Sequence, residues 1–104
     1  MININDEMQS MLQLFGRRLK EARLERNESQ EIFAQRLGLT RQSYSKMEKG
    51  SPSVPIGYWL VAGNILNRLS TWKDVFAEQE NLFARFDKKA KVRRRAGGRR
   101  KKER

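Results

Sequence analysis

Arg41, Gln42, Ser45 and Lys46 stand at i, i+1, i+4 and i+5. On a helix that spacing gathers four polar tips on one face. None of the four is an obvious catalytic acid, base or nucleophile in a pocket. They share directional hydrogen bonding. A guanidinium is a planar fork that can donate to both O6 and N7 of a guanine, and a carboxamide can bridge N6 and N7 of an adenine. Ser45 and Lys46 continue the same face. A second set flanks it: the hydroxyls of Ser29 and Thr40, the amide of Gln30 and the ammonium of Lys49. These groups suit phosphate oxygens, which position a binder without carrying sequence information. Gln30 is further favoured by the free N–H groups and partial positive charge of a helix start.

Two short helices joined by a tight turn would hold these residues. Ser29 predicts the first N-cap, with Gln30 and Glu31 in the first turn. Phe33, Ala34 and Leu37 then form one apolar stripe. Gly38 follows where a helix ends in positive φ, a conformation cheap only without Cβ. Leu39 carries the turn and Thr40 caps the next helix. There Tyr44 and Met47 point inward, Ser43 serves packing, and the polar set points outward. Gly50 closes the unit. A short Gly-containing turn, with small Ala34 where the helices approach, predicts a helix-turn-helix.

Ser29-Gln30, Ala34, Leu37-Gly38-Leu39-Thr40, Ser43, Ser45 and Met47-Glu48-Lys49-Gly50 together resemble the phage repressor and Cro-like family (lambda-repressor-like, XRE-type). The likeness runs from Arg23 to about Phe76. It implies an all-α, five-helix DNA-binding domain with no catalytic residue, cofactor or metal. It also implies an ion pair between Arg23 and Glu48, tying the first helix to the end of the recognition helix. Removing one partner of such a pair, if buried, costs several kcal/mol. A homodimer on an inverted repeat is implied as well, with two recognition helices about 34 Å apart on double-stranded DNA. The chain departs from the family at Glu28, where an apolar residue usually staples the helix start; this bears on how tightly the preceding loop closes. The stretch EKGSPSVPIGYWL resembles the HipB-like antitoxins encoded beside HipA-like kinase toxins, which implies a kinase partner and autoregulation.

Net charge is +11 over 104 residues, with no Cys and no His. Disulfides, thiolate zinc sites and imidazole catalysis are thereby excluded, and a reducing, cytoplasmic setting is compatible. The start MININDEMQ lacks the features of a signal peptide, and no apolar run is long enough to cross a membrane. Residues 1–87 hold 12 basic against 11 acidic side chains, whereas 88–104 hold 11 against one. The bulk field therefore belongs to a basic tail that cannot bury a core and is expected to be disordered when free. Its engagement of phosphates would make affinity fall steeply with salt.

In chain order, Asn5 or Asp6 caps a first helix over about 7–27. Met8, Leu12, Phe15, Leu19 and Ala22 lie on one face, with a break near Gly16 allowed for. The part before Phe15 extends beyond the family's usual first helix, as a partner contact, ordinary core or frayed end. After the loop 51–54, Pro55 opens a fourth helix. Its apolar face is Ile56, Trp59, Leu60, Ile65, Leu66 and Leu69; Gly57 and Gly63 within it either permit close packing or weaken it. Thr71 and Asp74 resemble a capping box for a fifth helix over 72–79, with Val75 and Phe76 apolar. In the resembled repressors this region often makes the dimer contact. The domain is thus drawn as 1–79, an apolar docking or dimer segment (Leu82, Phe83, Phe86) as 80–87, and the tail as 88–104.

Of three readings, the one adopted is a sequence-specific repressor that is also the autoregulating antitoxin of a toxin–antitoxin operon. The alternatives are a stand-alone repressor without a toxin partner and a basic RNA-binding protein working through its tail. Exposed Trp59, Trp72 or Phe83/Phe86 would favour the antitoxin, because aromatic anchors dominate protein interfaces. An enzyme is the weakest reading, for want of a phosphate loop or a carboxylate pair in a pocket.

Overall fold

The computed structural model describes residues 2–79 and contains, among them, helices and no strand. Contacts divide the chain into two compact units, Met1–Lys73 and Asp74–Arg104. The first holds α1 (Asp6–Glu25), α2 (Gln30–Leu37), α3 (Arg41–Glu48) and α4 (Ile56–Ile65), followed by a 3-10 helix, Leu69–Asp74. The segment 80–87 and the tail 88–104 lie outside the described residues.

Each of the first three helices starts on a side-chain cap. Asn5 Oδ1 accepts from Met8 N, Ser29 Oγ from Ile32 N and Thr40 Oγ1 from Ser43 N. Pro55 precedes α4 without a side-chain cap, one position earlier than the first-turn placement expected for it. All four helices end alike. A residue with φ between 58° and 83° follows each: Asn27, Gly38, Gly50 and Asn67. The next amide then reaches back five residues, as in Glu28 N to Arg23 O, Leu39 N to Ala34 O, Ser51 N to Lys46 O and Arg68 N to Gly63 O. This pairing satisfies carbonyls that a helix end otherwise leaves free. The two asparagines fill it because Asn tolerates the left-handed region.

Leu19 and Ala22 of α1, Phe33, Ala34 and Leu37 of α2, Tyr44 and Met47 of α3, and Trp59 and Ala62 of α4 make one core. Phe33, Tyr44 and Met47 are fully buried. Burial of an apolar side chain of this size stabilises by about 1.5–3 kcal/mol. A second layer stacks edge to face, with Phe15 6.3 Å from Trp59 and 5.9 Å from Trp72 between ring centres.

Four expectations change. Gly16 does not break α1. It is buried where α1 crosses the end of α3, and a Cβ there would press on the Glu48 carbonyl and lie 2.7 Å from Met47 O. Gly50 repeats the device, since a Cβ on it would lie 2.8 Å from Gln13 N. The segment ahead of Phe15 is therefore anchored, and Gln9 Nε2 donates to Gly50 O at 2.9 Å.

In α4 the inner face is Trp59, Ala62 and Gly63, while Ile56 and Leu60 are exposed. The helix is apolar all round, so its sequence carries no period to say which side turns inward. Its two glycines also differ: Gly63 lies 3.4 Å, by its notional Cβ, from the Trp72 ring, whereas at Gly57 no described residue comes within 4 Å of that position.

The fifth helical element is the 3-10 turn at 69–74 rather than an α-helix over 72–79. Thr71 Oγ1 donates to Arg68 O instead of capping a following turn, and Phe76, at φ 64°, stops any continuation.

Candidate nucleic-acid interface

The end of α3 is held by a buried polar knot. Arg23 Nε donates to Glu48 Oε2 at 2.7 Å, and Arg23 Nη2 donates to Glu48 Oε1 at 3.2 Å. This is a two-pronged pair whose side chains keep only 6% and 4% of their exposure. The remaining Arg23 nitrogen, Nη1, donates to Glu28 O at 2.7 Å. Glu48 also accepts from the Tyr44 hydroxyl one turn back on α3, and from Gln30 Nε2 at 2.9 Å. One carboxylate thus joins α1, α2 and α3.

Burial alone would push the Glu48 carboxyl up, but hydrogen bonds from Arg23, Tyr44 and Gln30 outweigh it and hold it below its ordinary value. Its hydrogen bond to Glu48 raises Arg23 against the opposing effect of burial, and burial, then Glu48, raises Tyr44 far into the alkaline range. The knot is therefore ionised, with Tyr44 a protonated donor.

With Glu48 turned inward and neutralised, no carboxylate is left on the outer side of α3, and its first turn holds no acidic residue. Arg41, Gln42, Lys46 and Lys49 are exposed there. Among the described residues none of these four side chains has a partner. Ser45 belongs to the same outward set by spacing but is half-buried, as is Ser43. Thr40 and Ser29 are exposed, each with its hydroxyl oxygen already accepting the cap bond. Gln30 sits differently from the free amide expected at the start of α2: it is half-buried and engaged with Glu48.

Glu28 does not loosen the α1–α2 loop. Its carboxylate lies 3.0 Å from Arg36 Nη2 and 3.6 Å from Arg26 Nε, so ionic contacts replace an apolar staple.

Sequence reasoning missed Gly16, Gly50 and Gln9 as supports of α3, and the Tyr44 hydroxyl as a further donor to the knot. The Tyr44–Glu48 spacing of i, i+4 is a legible signal for the last. For the glycines, only the crossing itself reveals the need.

The chemistry open to this surface is binding. Three cations and an amide project from a short rigid helix, and the described residues contain no cluster of acidic groups that could hold a metal. No helix among them is long and apolar enough to cross a membrane. Residues 14–68 match a family described as a helix-turn-helix domain. No curated protein and no solved structure gives a significant match.

Proposed function

Since the chain belongs to the helix-turn-helix domain family, we propose that it is a sequence-specific DNA-binding transcriptional repressor of the lambda-repressor-like type. The observation that carries this reading is the outer side of α3, cleared of negative charge by the inward turn of Glu48 and studded with Arg41, Gln42 and Lys46. Such a helix fits the major groove, where its N-terminal residues meet base edges. Arg41 and Gln42 read bases, with Lys46 and the half-buried Ser45 further along. Thr40, Ser29 and Lys49 lie against phosphates. Gln30 contributes there mainly through its backbone N–H, its amide being spent on Glu48.

The eight residues of α3 span about 12 Å, the rise of roughly three to four base pairs. One copy reads too little for specificity, so the protein acts as a homodimer on an inverted repeat.

The packing of both tryptophans favours a regulator without a toxin partner over the HipB-like antitoxin. Trp59 is buried, and Trp72 packs half-buried on Phe15 and Trp59, so neither is a free anchor for a HipA-like kinase. Phe83 and Phe86 lie outside the described residues.

The test is selection of preferred duplexes from a random pool, followed by titration of Arg41→Ala. The variant should lose about 1–3 kcal/mol of discrimination at one base position per half-site and keep its non-specific affinity. Equal weakening on every duplex, or equal binding of single-stranded RNA, would refute base reading by α3.

A further inference from the structure

An α-helix that is apolar all round normally lies covered on all sides, and among the described residues α4 is not. Its sequence, IGYWLVAGNI, contains no charge. Trp59, Ala62 and Gly63 face the core, and the opposite side presents Gly57, Leu60, Val61 and Asn64. Leu60 is 40% exposed, Val61 42% and neighbouring Ile56 60%. Among the described residues nothing lies within 4 Å of where a Gly57 Cβ would stand.

We propose that this face pairs with its own counterpart on a second copy of the chain, α4 against α4 about a two-fold axis between Leu60 and Val61. The pattern is self-complementary. In an isologous contact residue i meets j while j meets i. With the axis at 60/61, Gly57 of each copy falls opposite Asn64 of the other, a missing side chain facing a polar one of moderate size. The absence of charge means that self-juxtaposition brings no like-charge repulsion, which a charged face would suffer. Gly57 lets the helix backbones approach closely.

The patch is also small. Three exposed aliphatic side chains, Ile56, Leu60 and Val61, fall well short of the roughly 800 Å² per partner of a standard stable interface. Pairing is therefore weak in free solution and strengthens when two half-sites hold the copies side by side, through effective concentration. This deepens the repressor reading by naming the surface that joins its two copies, in place of the 72–79 region.

The chain has no cysteine, so single-cysteine variants report geometry cleanly. Under mild oxidation without DNA, full-length Val61→Cys should form a covalent dimer, because cysteines beside the axis can reach the 4.4–6.8 Å Cα separation of a disulfide. Lys20→Cys, exposed on α1, should not. Equal cross-linking of both, or none of Val61→Cys, overturns the proposal. In a second experiment, Leu60→Glu places two carboxylates across the axis. It should leave binding to a single selected half-site unchanged and abolish the cooperative gain on the inverted repeat. Retained cooperativity in that variant overturns the proposal too. Specific cross-linking of Val61→Cys by a chain that binds no duplex would sink the repressor reading and leave this one standing.

Discussion

Replacing Glu48 with alanine tests the physical basis of the site most directly. The substitution removes the carboxylate that accepts from Arg23, Tyr44 and Gln30, and leaves the Arg23 guanidinium, 6% exposed, facing only the Glu28 carbonyl. Breaking a buried pair from one side costs about 3–5 kcal/mol, because the surviving charge stays desolvated without a counter-ion. A domain of this size is stable by roughly 4–12 kcal/mol in total, at ~0.05–0.15 kcal/mol per residue. The variant should therefore sit near the edge of folding. At about 4–8 °C per kcal/mol, its melting temperature should drop by at least about 12 °C in a far-ultraviolet circular dichroism melt. The double substitution Arg23→Met with Glu48→Leu removes both charges and keeps the volume. It should recover part of the loss, since apolar replacement of a buried pair is often neutral or better, while the Tyr44 hydroxyl and Gln30 amide still lack their acceptor. A Glu48→Ala melt within about 4 °C of the parent, equivalent to ~1 kcal/mol, would show that the knot contributes little. Failure of the double variant to recover any of it would show that the loss lies in packing or in the acceptor taken from Tyr44 and Gln30, and not in an orphaned charge.

Two further outcomes follow from the same crossing. Gly16→Ala should destabilise by about 1–3 kcal/mol or more through overpacking, because the new methyl meets the backbone of Met47 and Glu48 rather than a movable side chain; urea titration reads this, and an unchanged midpoint would mean that α1 and α3 can part freely. The Glu48 carboxyl is held below its ordinary value in the folded chain. Its contribution is therefore full above the unfolded carboxylate value of about 4.3 and is lost as pH falls through the lower folded value. Melting temperature should thus decline below about pH 4.3, and the decline should be shallower in the Arg23→Met, Glu48→Leu double variant.

What could be read in advance was local. Ser29, Thr40 and Gly38 announce caps and a turn within four residues of themselves, and the structure uses all three in that way. The burial of Phe33, Tyr44 and Met47 follows from helical period alone. What stayed hidden depends on partners far along the chain. Gly16 looks like a weak point until the end of α3, some thirty residues on, is laid across it. Gln30 looks free until Glu48 is brought beside it. In α4 the difficulty is different: with apolar residues on every side, the pattern has no direction, and Ile56 and Leu60 were as eligible for the core as Trp59. Asn27 and Asn67 show that a left-handed helix stop need not be written as glycine.

The division of labour along α3 has a consequence for how the proposed target preference could change. The buried side chains of α3 are Tyr44 and Met47, with Glu48 held in the knot, while Arg41, Gln42 and Lys46 are exposed and have no hydrogen-bond or ionic partner among the described residues. The tips can be exchanged as freely as type in a printing block, because the frame that grips the block lies on its other side. Under the proposed base reading by α3, a change of preferred duplex would take two or three codon changes with no compensating repair elsewhere.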